Sequence, residues 1–223
     1  MTNSSPQHEE LRAEYKRRYD AVLTPLAEAL RLFLIASLKD EPRIDRIAAR
    51  PKDVDRFVAK ATKLTDGKLK YAEPLQQIQD QIGARIITFY PSDVYRLDPI
   101  VKKWFNPIEF KDHVPESEWE FGYFGRHYVL AIPSDVIDGA WNKNMVPRFF
   151  ELQVKTLFEH AWSEAEHNLG YKPGEQPLTS DETRRLAYTS AQAWGADRMF
   201  DELFRARGVS ANTSISDSPA SAR

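Results

Sequence analysis

The sequence predicts an α+β domain, α/β-like, in which helices flank a mixed central β-sheet. Three observations support this class. Short β-patterned runs alternate with stretches of helical periodicity within residues 43–208, and long helical patterns lie before this region at 8–39 and at its end at 180–207. The 223 residues suffice for one ample domain with its own core. We therefore divide the chain into an N-terminal helical arm (1–42), the α+β domain (43–208) and a tail (209–223), whose Ser/Ala/Asn-rich composition predicts disorder.

The arm is predicted to be helical because apolar residues recur at three- and four-residue spacing from Leu11 to Phe33. Pro25 interrupts this pattern. It either kinks one helix or starts a second, with Thr24 as N-cap and Pro25 at the first helical position. The consecutive cations Lys16, Arg17 and Arg18 are predicted on the polar side of the arm.

The elements of the domain follow from the periods of its apolar residues. Strands are predicted at 43–50, 84–90, 126–132 and 149–155. Helices are predicted from a cap at Asp53 to about Leu64, from Pro74 to near Gly83, at 92–105, at 156–169 and at 180–207, where Gly208 ends the last one. The acidic segment at about 112–120 is predicted to be a loop.

Composition excludes several classes of function. The chain has no cysteine, which excludes disulfides, thiolate metal sites, iron–sulfur clusters and a cysteine nucleophile. The formal net charge of −2 argues against coating of nucleic acid by bulk positive charge. The longest apolar stretch, 30–38, is far shorter than the roughly 20 residues that span a bilayer. Residues 1–10 show no targeting pattern, so we expect a cytoplasmic protein.

Standard sequence motifs do not identify the chemistry. The chain has no G-x-x-x-x-G-K-[ST], G-x-G-x-x-G or H-E-x-x-H segment. His160, Glu164 and His167 fall on one predicted helix face and are a candidate metal set. Because they match no standard zinc spacing, polar residues lining a cleft or the surface are the favoured interpretation.

Positive charge is concentrated in one segment. Residues 43–70 contain nine Lys/Arg against four Asp. Arg56, Lys60 and Lys63 lie at i, i+4 and i+7 and are predicted to form one basic ridge. Cations clustered beside a strand are suited to binding a polyphosphate, although a solvated helix face remains the alternative.

The run 149–155 adds carboxylate chemistry to this basic segment. Its period of two places Glu151, Gln153 and Lys155 on the face opposite the apolar one. Asp80 precedes another predicted strand. Magnesium is typically held by one or two carboxylates together with substrate phosphates, so this pattern favours a magnesium–nucleotide site on a sheet.

Five segments, in chain order, resemble motifs of the RelA/SpoT-type alarmone synthetase domain. They are Arg50-Pro-Lys52 with Lys60 and Lys63, Asp80-Gln-Ile-Gly83-Ala-Arg85, Gly122-Tyr123-Phe-Gly-Arg-His127, Glu151-Leu-Gln153-Val-Lys-Thr156, and the helix from His160 to Lys172. The likeness covers roughly 43–205 and is to the small, single-domain alarmone synthetases. It implies a nucleotidyltransferase-like synthetase domain.

The resemblance also implies an activity. Such enzymes are pyrophosphokinases that move the β,γ-pyrophosphate of ATP to the 3′-hydroxyl of an acceptor nucleotide, as in (p)ppGpp synthesis during the stringent response. It implies ATP binding by Arg50, Lys52, Lys60, Lys63 and Arg85, the two arginines enclosing the adenine. It implies Mg²⁺ binding and catalysis by Asp80 and Glu151, with Glu151 also taking the proton of the attacking hydroxyl. It implies an acceptor site of Tyr123, His127, Gln153 and Glu166, in which Tyr123 stacks on the base and counts among the catalytic residues.

The acceptor stays open because the loop before Gly122 departs from the family pattern. Residues 109–120 carry five acids and one lysine, where the family usually has cations for the acceptor phosphates, and Phe124 replaces the usual Arg. The acceptor is therefore GDP or GTP, an adenine nucleotide, or, as in toxic family members, the 3′ end of tRNA, for which Lys16 to Arg18 and the basic segment would contact the backbone. An inactive nucleotide-binding module is a further alternative, and homo-oligomers or an antitoxin partner are left open.

Overall fold

The computed structural model describes residues 6–105, 107–113, 117, 120–122, 125–170 and 177–216, with the backbone alone described at 170 and 209–216. The helices are α1 (Pro6–Arg18), α2 (Thr24–Ser37), α3 (Val54–Ala61), α4 (Pro74–Gln77), α5 (Pro91–Phe105), α6 (Leu157–Gly170) and α7 (Ser180–Ser216). The strands are β1 (Ile44–Pro51), β2 (Leu64–Thr65), β3 (Lys68–Leu69), β4 (Ile82–Thr88), β5 (Glu109–His113), β6 (Gly125–Ala131) and β7 (Phe149–Thr156).

Five of the strands form one mixed sheet in the order β1-β4-β7-β6-β5. The central pair, β4 and β7, is parallel, and all the other neighbours are antiparallel. Helices precede, interrupt and follow these strands. The predicted α+β class with a mixed, helix-flanked sheet is therefore confirmed.

The two faces of the sheet differ in polarity because apolar residues alternate along its strands. Ile82, Ala84 and Ile86 of β4 face the core, where α2 and α5 pack. So do the alternate residues of β7, which are Phe150, Leu152 and Val154. In this core the Phe105 ring packs edge-on against the Phe150 ring, with 5.9 Å between the centroids. The opposite face carries polar side chains and is partly covered by α6.

The N-terminal arm is helical almost throughout, with a π-helical turn at Tyr19–Leu23 between α1 and α2. Pro25 lies in the first turn of α2, as predicted. Thr24 is not the N-cap, because its backbone is itself helical (φ −66°, ψ −54°). Its hydroxyl donates instead to the carbonyl oxygen of Tyr19 at 2.9 Å.

Tyr15 anchors the arm to the domain. Its ring is fully buried and stacks on Phe57 of α3 with 3.7 Å between centroids. Its hydroxyl donates to the carbonyl oxygen of Lys52 at 2.8 Å. The prediction that Arg18 lies on the polar side of the arm is wrong, since it is 4% exposed, whereas Lys16 pairs with Asp20 on the surface.

The β2–β3 hairpin lies where the end of a helix was predicted, and strand β5 lies where the start of the acidic loop was predicted. Helix α3 ends at Ala61 rather than Leu64, because the chain then forms the β2–β3 hairpin. Its turn residues Asp66 and Gly67 both have positive φ, at 52° and 75°, as two-residue hairpin turns require. The start of the predicted acidic loop is strand β5, and residues 114–116, 118 and 119 lie outside the described part.

Helix α7 continues to Ser216, past the end predicted at Gly208. A glycine inside a helix costs only about 1 kcal/mol relative to alanine, and no proline follows until residue 219. The structure describes helix at residues 209–216, where the sequence predicts a disordered tail, while residues 217–223 lie outside the described part. Although α7 spans 37 residues, neither it nor any other helix in the described ranges is apolar and long enough to cross a membrane.

A buried polar cluster joins α7 to the end of β7. The Thr156 hydroxyl donates to Oδ2 of Asp197 at 2.5 Å and accepts from the backbone N–H of Glu159 at 3.1 Å. Oε2 of Glu159 accepts in turn from the N–H of Thr156 at 2.9 Å, so the two residues form the capping box that starts α6. Burial raises the pKa of the Asp197 carboxyl to about 7.

This pKa predicts a specific dependence of stability on pH. The folded chain keeps a proton on Asp197 that the unfolded chain releases above about pH 4. Its contribution to the free energy of unfolding is therefore full at low pH and is lost as pH rises to about 7. We expect the Asp197→Asn variant to gain stability relative to the wild type from pH 5 to 8 in urea unfolding. Parallel pH profiles would contradict this, and Asp181→Asn, an exposed carboxylate of α7, is the control.

Candidate active site

The polar face of the sheet brings most predicted site residues into two adjacent rows. In one row Arg50 lies opposite Gly83, which lies beside Glu151. In the next, Gln153 lies between Arg85 and His127. A Cβ added at Gly83 would meet no atom within 4 Å, so the space above the centre of the first row is open. A planar or extended ligand has access to both rows from this side.

Asp80 lies at the rim of this face, in the 3₁₀ turn Gln79–Gln81 that leads into β4. Its Oδ2 is 2.9 Å from the ammonium nitrogens of both Lys52 and Lys60. Burial alone would raise the pKa of Asp80, but the two cations outweigh it and hold that pKa below its ordinary value. Its other oxygen, Oδ1, is buried and has no hydrogen-bond partner, so this carboxylate retains an unused ligand atom.

Local structure fixes the two lysines around Asp80. Lys52 follows β1, and its backbone N–H donates to the carbonyl oxygen of Gln81 at 2.8 Å. Lys60 stands in the last turn of α3, whose N-cap Asp53 accepts two backbone N–H groups, as predicted. The predicted ridge is shorter than expected, since Lys63 lies beyond the end of α3 and is exposed.

Glu151 is held by its neighbours on one oxygen. Its Oε1 accepts a hydrogen bond from Nε2 of Gln153 at 2.5 Å and lies 3.3 Å from Nδ1 of His127. Burial, together with the charge of nearby groups led by His113, lowers the pKa of His127 to about 3. His127 is therefore neutral at physiological pH, and it orients the Glu151 carboxylate without neutralising it. A quarter of the Glu151 side chain is exposed on the open face.

Helix α6 supplies a partner that the sequence interpretation did not assign. Glu164 forms an ion pair with Arg85. Burial would raise the pKa of Glu164, but Arg85 lowers it below its ordinary value. Glu166 is half-buried on the same helix.

The metal set proposed on α6 finds no support in the geometry. Among the described residues, no three His, Asp or Glu side chains converge as metal ligands, which includes His160, Glu164 and His167. Tyr123, predicted to stack on the acceptor base, lies outside the described residues.

Strand β5 adds residues to the acceptor end of the site. Lys111 pairs with His127 in register, and the His113 ring lies 4.2 Å from that of His127. Arg126 alternates with them and faces the other side, where it pairs with Asp98 at 3.1 Å and Asp112 at 2.5 Å. Period-two alternation would have identified Lys111 and His113 if 109–113 had been recognised as a strand.

The Arg85–Glu164 ion pair predicts an effect on nucleotide affinity. The resemblance assigns Arg85 to the adenine, and we expect the nucleotide to compete with Glu164 for the guanidinium. Partly exposed pairs are worth about 0.2–1 kcal/mol, and we expect Glu164→Gln to tighten the dissociation constant of ATP by about two- to fivefold in calorimetry. Glu10→Gln, an exposed charge change on α1, should leave the affinity unchanged. Weaker binding by Glu164→Gln would show that Glu164 assists the nucleotide instead.

Comparison with known proteins identifies similar chains. Residues 49–176 match the family described as the region found in RelA / SpoT proteins. The chain is 26% identical to GTP pyrophosphokinase YjbM of Bacillus subtilis over 172 residues, 76% of this chain and 74% of that protein. It is 22% identical to YwaC of the same organism, also a GTP pyrophosphokinase, over 70% of this chain and 68% of that one. The crystal structure of small alarmone synthetase 1 from Bacillus subtilis superposes with a TM-score of 0.69 at 23% identity, covering 88% of this chain and 99% of that one.

Proposed function

The chain belongs to the RelA/SpoT family, and from this premise we propose that it is an ATP-dependent pyrophosphokinase that modifies the 3′-hydroxyl of an acceptor nucleotide. In this reaction the acceptor oxygen forms a bond to the β-phosphorus of ATP, the bond from that phosphorus to the α–β bridging oxygen breaks, and AMP leaves. Catalysis then depends on positioning and on neutralising charge more than on covalent chemistry by the protein.

The observation that carries this proposal is the cluster of Asp80, Lys52 and Lys60 beside Glu151. Two ammonium groups share one oxygen of a partly buried carboxylate at 2.9 Å each. They are thereby held together at the rim of the open face, where they can exchange part of this contact for a triphosphate. Lys63, which is exposed just beyond the end of α3, adds a further positive charge to this region. Such preorganised cations stabilise the negative charge of the transferred group.

The residues present also fit a magnesium ion. Oδ1 of Asp80 is a buried carboxylate oxygen without a partner, and Glu151 uses only Oε1 for contacts within the described structure. Magnesium is commonly bound by one or two carboxylates and completed by substrate phosphates and water. When bound, the ion would neutralise charge on the β- and γ-phosphates.

Glu151 is the proposed base for the acceptor hydroxyl. Gln153 and His127 fix one of its oxygens, and the neutral His127 places no counter-charge beside that oxygen. A carboxylate oriented in this way can accept the 3′-hydroxyl proton as the bond to phosphorus forms. We assign the adenine to Arg50 and Arg85, whose guanidinium planes are suited to stacking on a base.

For the acceptor we propose a guanosine di- or triphosphate. The name of the relative YjbM gives GTP as a substrate of that protein. In this chain Lys111 lies in register with His127 on the site face, and Asp112 is paired with Arg126 on the opposite face. Lys111 therefore places a cation at the acceptor end of the site. Asp112, whose charge is paired with Arg126, does not add to the repulsion of an acceptor phosphate there. Tyr123 and Glu166 remain proposed contacts of the acceptor.

An acceptor panel tests this assignment. The chain is incubated with Mg²⁺, γ-labelled ATP and, in separate reactions, GDP, GTP, AMP, ADP or tRNA. We expect label in the guanosine nucleotides, giving ppGpp or pppGpp. Label confined to RNA or to adenine nucleotides would overturn the acceptor assignment but not pyrophosphate transfer. No transfer to any acceptor would favour an inactive nucleotide-binding module.

A further inference from the structure

A second positively charged site lies behind the turn that carries Asp80. A cavity of about 60 Å³ opens between the N-terminal arm and the segment preceding β7. It has room for about four water molecules, comparable in heavy-atom count with a phosphate ion. None of the residues assigned to the proposed active site lines it. Two arginines, Arg18 and Arg148, do, and none of its lining residues is acidic.

Arg18 is a buried cation without a counter-charge. Its side chain donates to the carbonyl oxygens of Leu75 at 2.8 Å and Asn144 at 2.9 Å and to Oε1 of Gln81 at 3.1 Å, all neutral acceptors. Its Nε is buried and has no partner. Among the described residues no carboxylate lies within 4.0 Å of this guanidinium, and Glu14, which acts on it from further away, is itself paired with Arg17. Burial accordingly lowers the pKa of Arg18.

Arg148 brings a second guanidinium to the mouth of the cavity. It is exposed, lies over the Phe149 ring at 5.3 Å, and forms no ion pair in the described structure. A buried charge without a counter-charge is costly, and an anion beside the guanidinium would reduce that cost. The cavity is therefore lined by two guanidinium groups, one buried and one exposed, and by no carboxylate, so its charge is positive. Arginine forks suit oxyanions such as phosphate because they donate two parallel hydrogen bonds.

We propose that this cavity binds a small oxyanion of the phosphate class, either free phosphate or the phosphoryl group of a small molecule, between the guanidinium groups of Arg18 and Arg148 that line it. The anion would lie next to Gln81, whose Oε1 accepts from Arg18 and whose backbone oxygen accepts from Lys52. Gln81 directly follows Asp80 in the chain. An anion in the cavity would therefore contact the turn that carries Asp80, the proposed magnesium ligand.

The test is a titration of the full chain with inorganic phosphate, at constant ionic strength, followed by ¹H–¹⁵N spectra. The Nε–H signal of Arg18 and the amide signals of Gln79 and Asn144 report on this cavity, separately from signals of the active-site lysines. We expect saturable shifts of these signals in the wild type. A charge-assisted hydrogen bond contributes about 1.5–3 kcal/mol, so Arg148→Gln should weaken the dissociation constant at least tenfold.

The matched control is Lys143→Gln, which removes an exposed cation of the same segment that does not line the cavity. It should leave the titration unchanged. A parallel titration with glycerol phosphate distinguishes the sources, since saturation by both ligands indicates a phosphoryl site and saturation by phosphate alone indicates a free-ion site. The proposal is overturned if neither ligand shifts the cavity signals saturably, or if Arg148→Gln and Lys143→Gln have equal effects.

Discussion

Replacing Glu151 by glutamine is expected to lower kcat for pyrophosphate transfer by about 10²–10⁴-fold, the range of general acid–base contributions. Glutamine keeps the size of the side chain and an oxygen that Gln153 can still bond, but it cannot take the proton of the attacking hydroxyl. It also loses the charge that would hold magnesium. The fold should be unaffected because the side chain is partly exposed on the open face. Steady-state kinetics with saturating ATP and acceptor measure the effect.

The sheet offers a matched control for this variant. Glu109 lies in the same row as Glu151, two strands away, with Val129 between them. Glu109→Gln makes the same chemical change on the same face of the sheet and should keep kcat within about twofold of wild type. A Glu151→Gln enzyme of near wild-type kcat would remove Glu151 from the proposed chemistry.

The second large effect is expected for Asp80→Asn. The substitution removes the negative charge that holds Lys52 and Lys60 together and the carboxylate whose Oδ1 is free for a metal. We expect kcat/KM for ATP to fall by about 10²-fold or more, since a preorganised charge contact of this kind contributes roughly 3–4 kcal/mol in other enzymes. We also expect the Mg²⁺ concentration for half-maximal rate to rise. Initial rates over a matrix of ATP and Mg²⁺ concentrations separate these two effects.

Asp55→Asn is the corresponding control. Asp55 is exposed on α3, near the same lysines, but its partner is Arg12 of the arm. If the two variants have equal Mg²⁺ dependence and equal kcat/KM, Asp80 acts only through the overall negative charge of this region and has no specific role in the site. Retained Mg²⁺ dependence in Asp80→Asn with a reduced rate would assign the lysine contact, and not the metal, to Asp80.

Local patterns predicted the parts of the fold that local forces decide. Strands β4 and β7 and the helices after them follow from apolar periods, and α3 follows from its N-cap Asp53; neither signal needs a distant partner. The β2–β3 hairpin was missed although Asp66-Gly67 is a turn signal, because each strand has only two residues. Strand β5 was missed because its acids suggest a loop, whereas pairing with β6 and the Arg126–Asp112 contact stabilise it.

The candidate site was predicted at the level of residue types but not of contacts. The resemblance located Asp80 and Glu151, and the alternation on β7 correctly placed Glu151 and Gln153 on one face. That Lys52 and Lys60 share one oxygen of Asp80 depends on how the arm, α3 and the turn before β4 pack. Arg18 illustrates the limit, since its position among charged neighbours indicates a surface residue, and only tertiary packing makes it a buried cation.

The most direct test of the proposed reaction is the fate of the ATP α-phosphate. With [α-³²P]ATP, Mg²⁺ and a guanosine di- or triphosphate, pyrophosphate transfer releases labelled AMP in amounts equal to the acceptor that gains two phosphates. We predict this one-to-one yield for the wild-type chain and a rate of AMP release about 10²–10⁴-fold lower in Glu151→Gln. Labelled ADP would indicate transfer of a single phosphoryl group, and label attached to the acceptor would indicate nucleotidyl transfer. Either result would contradict the proposed function.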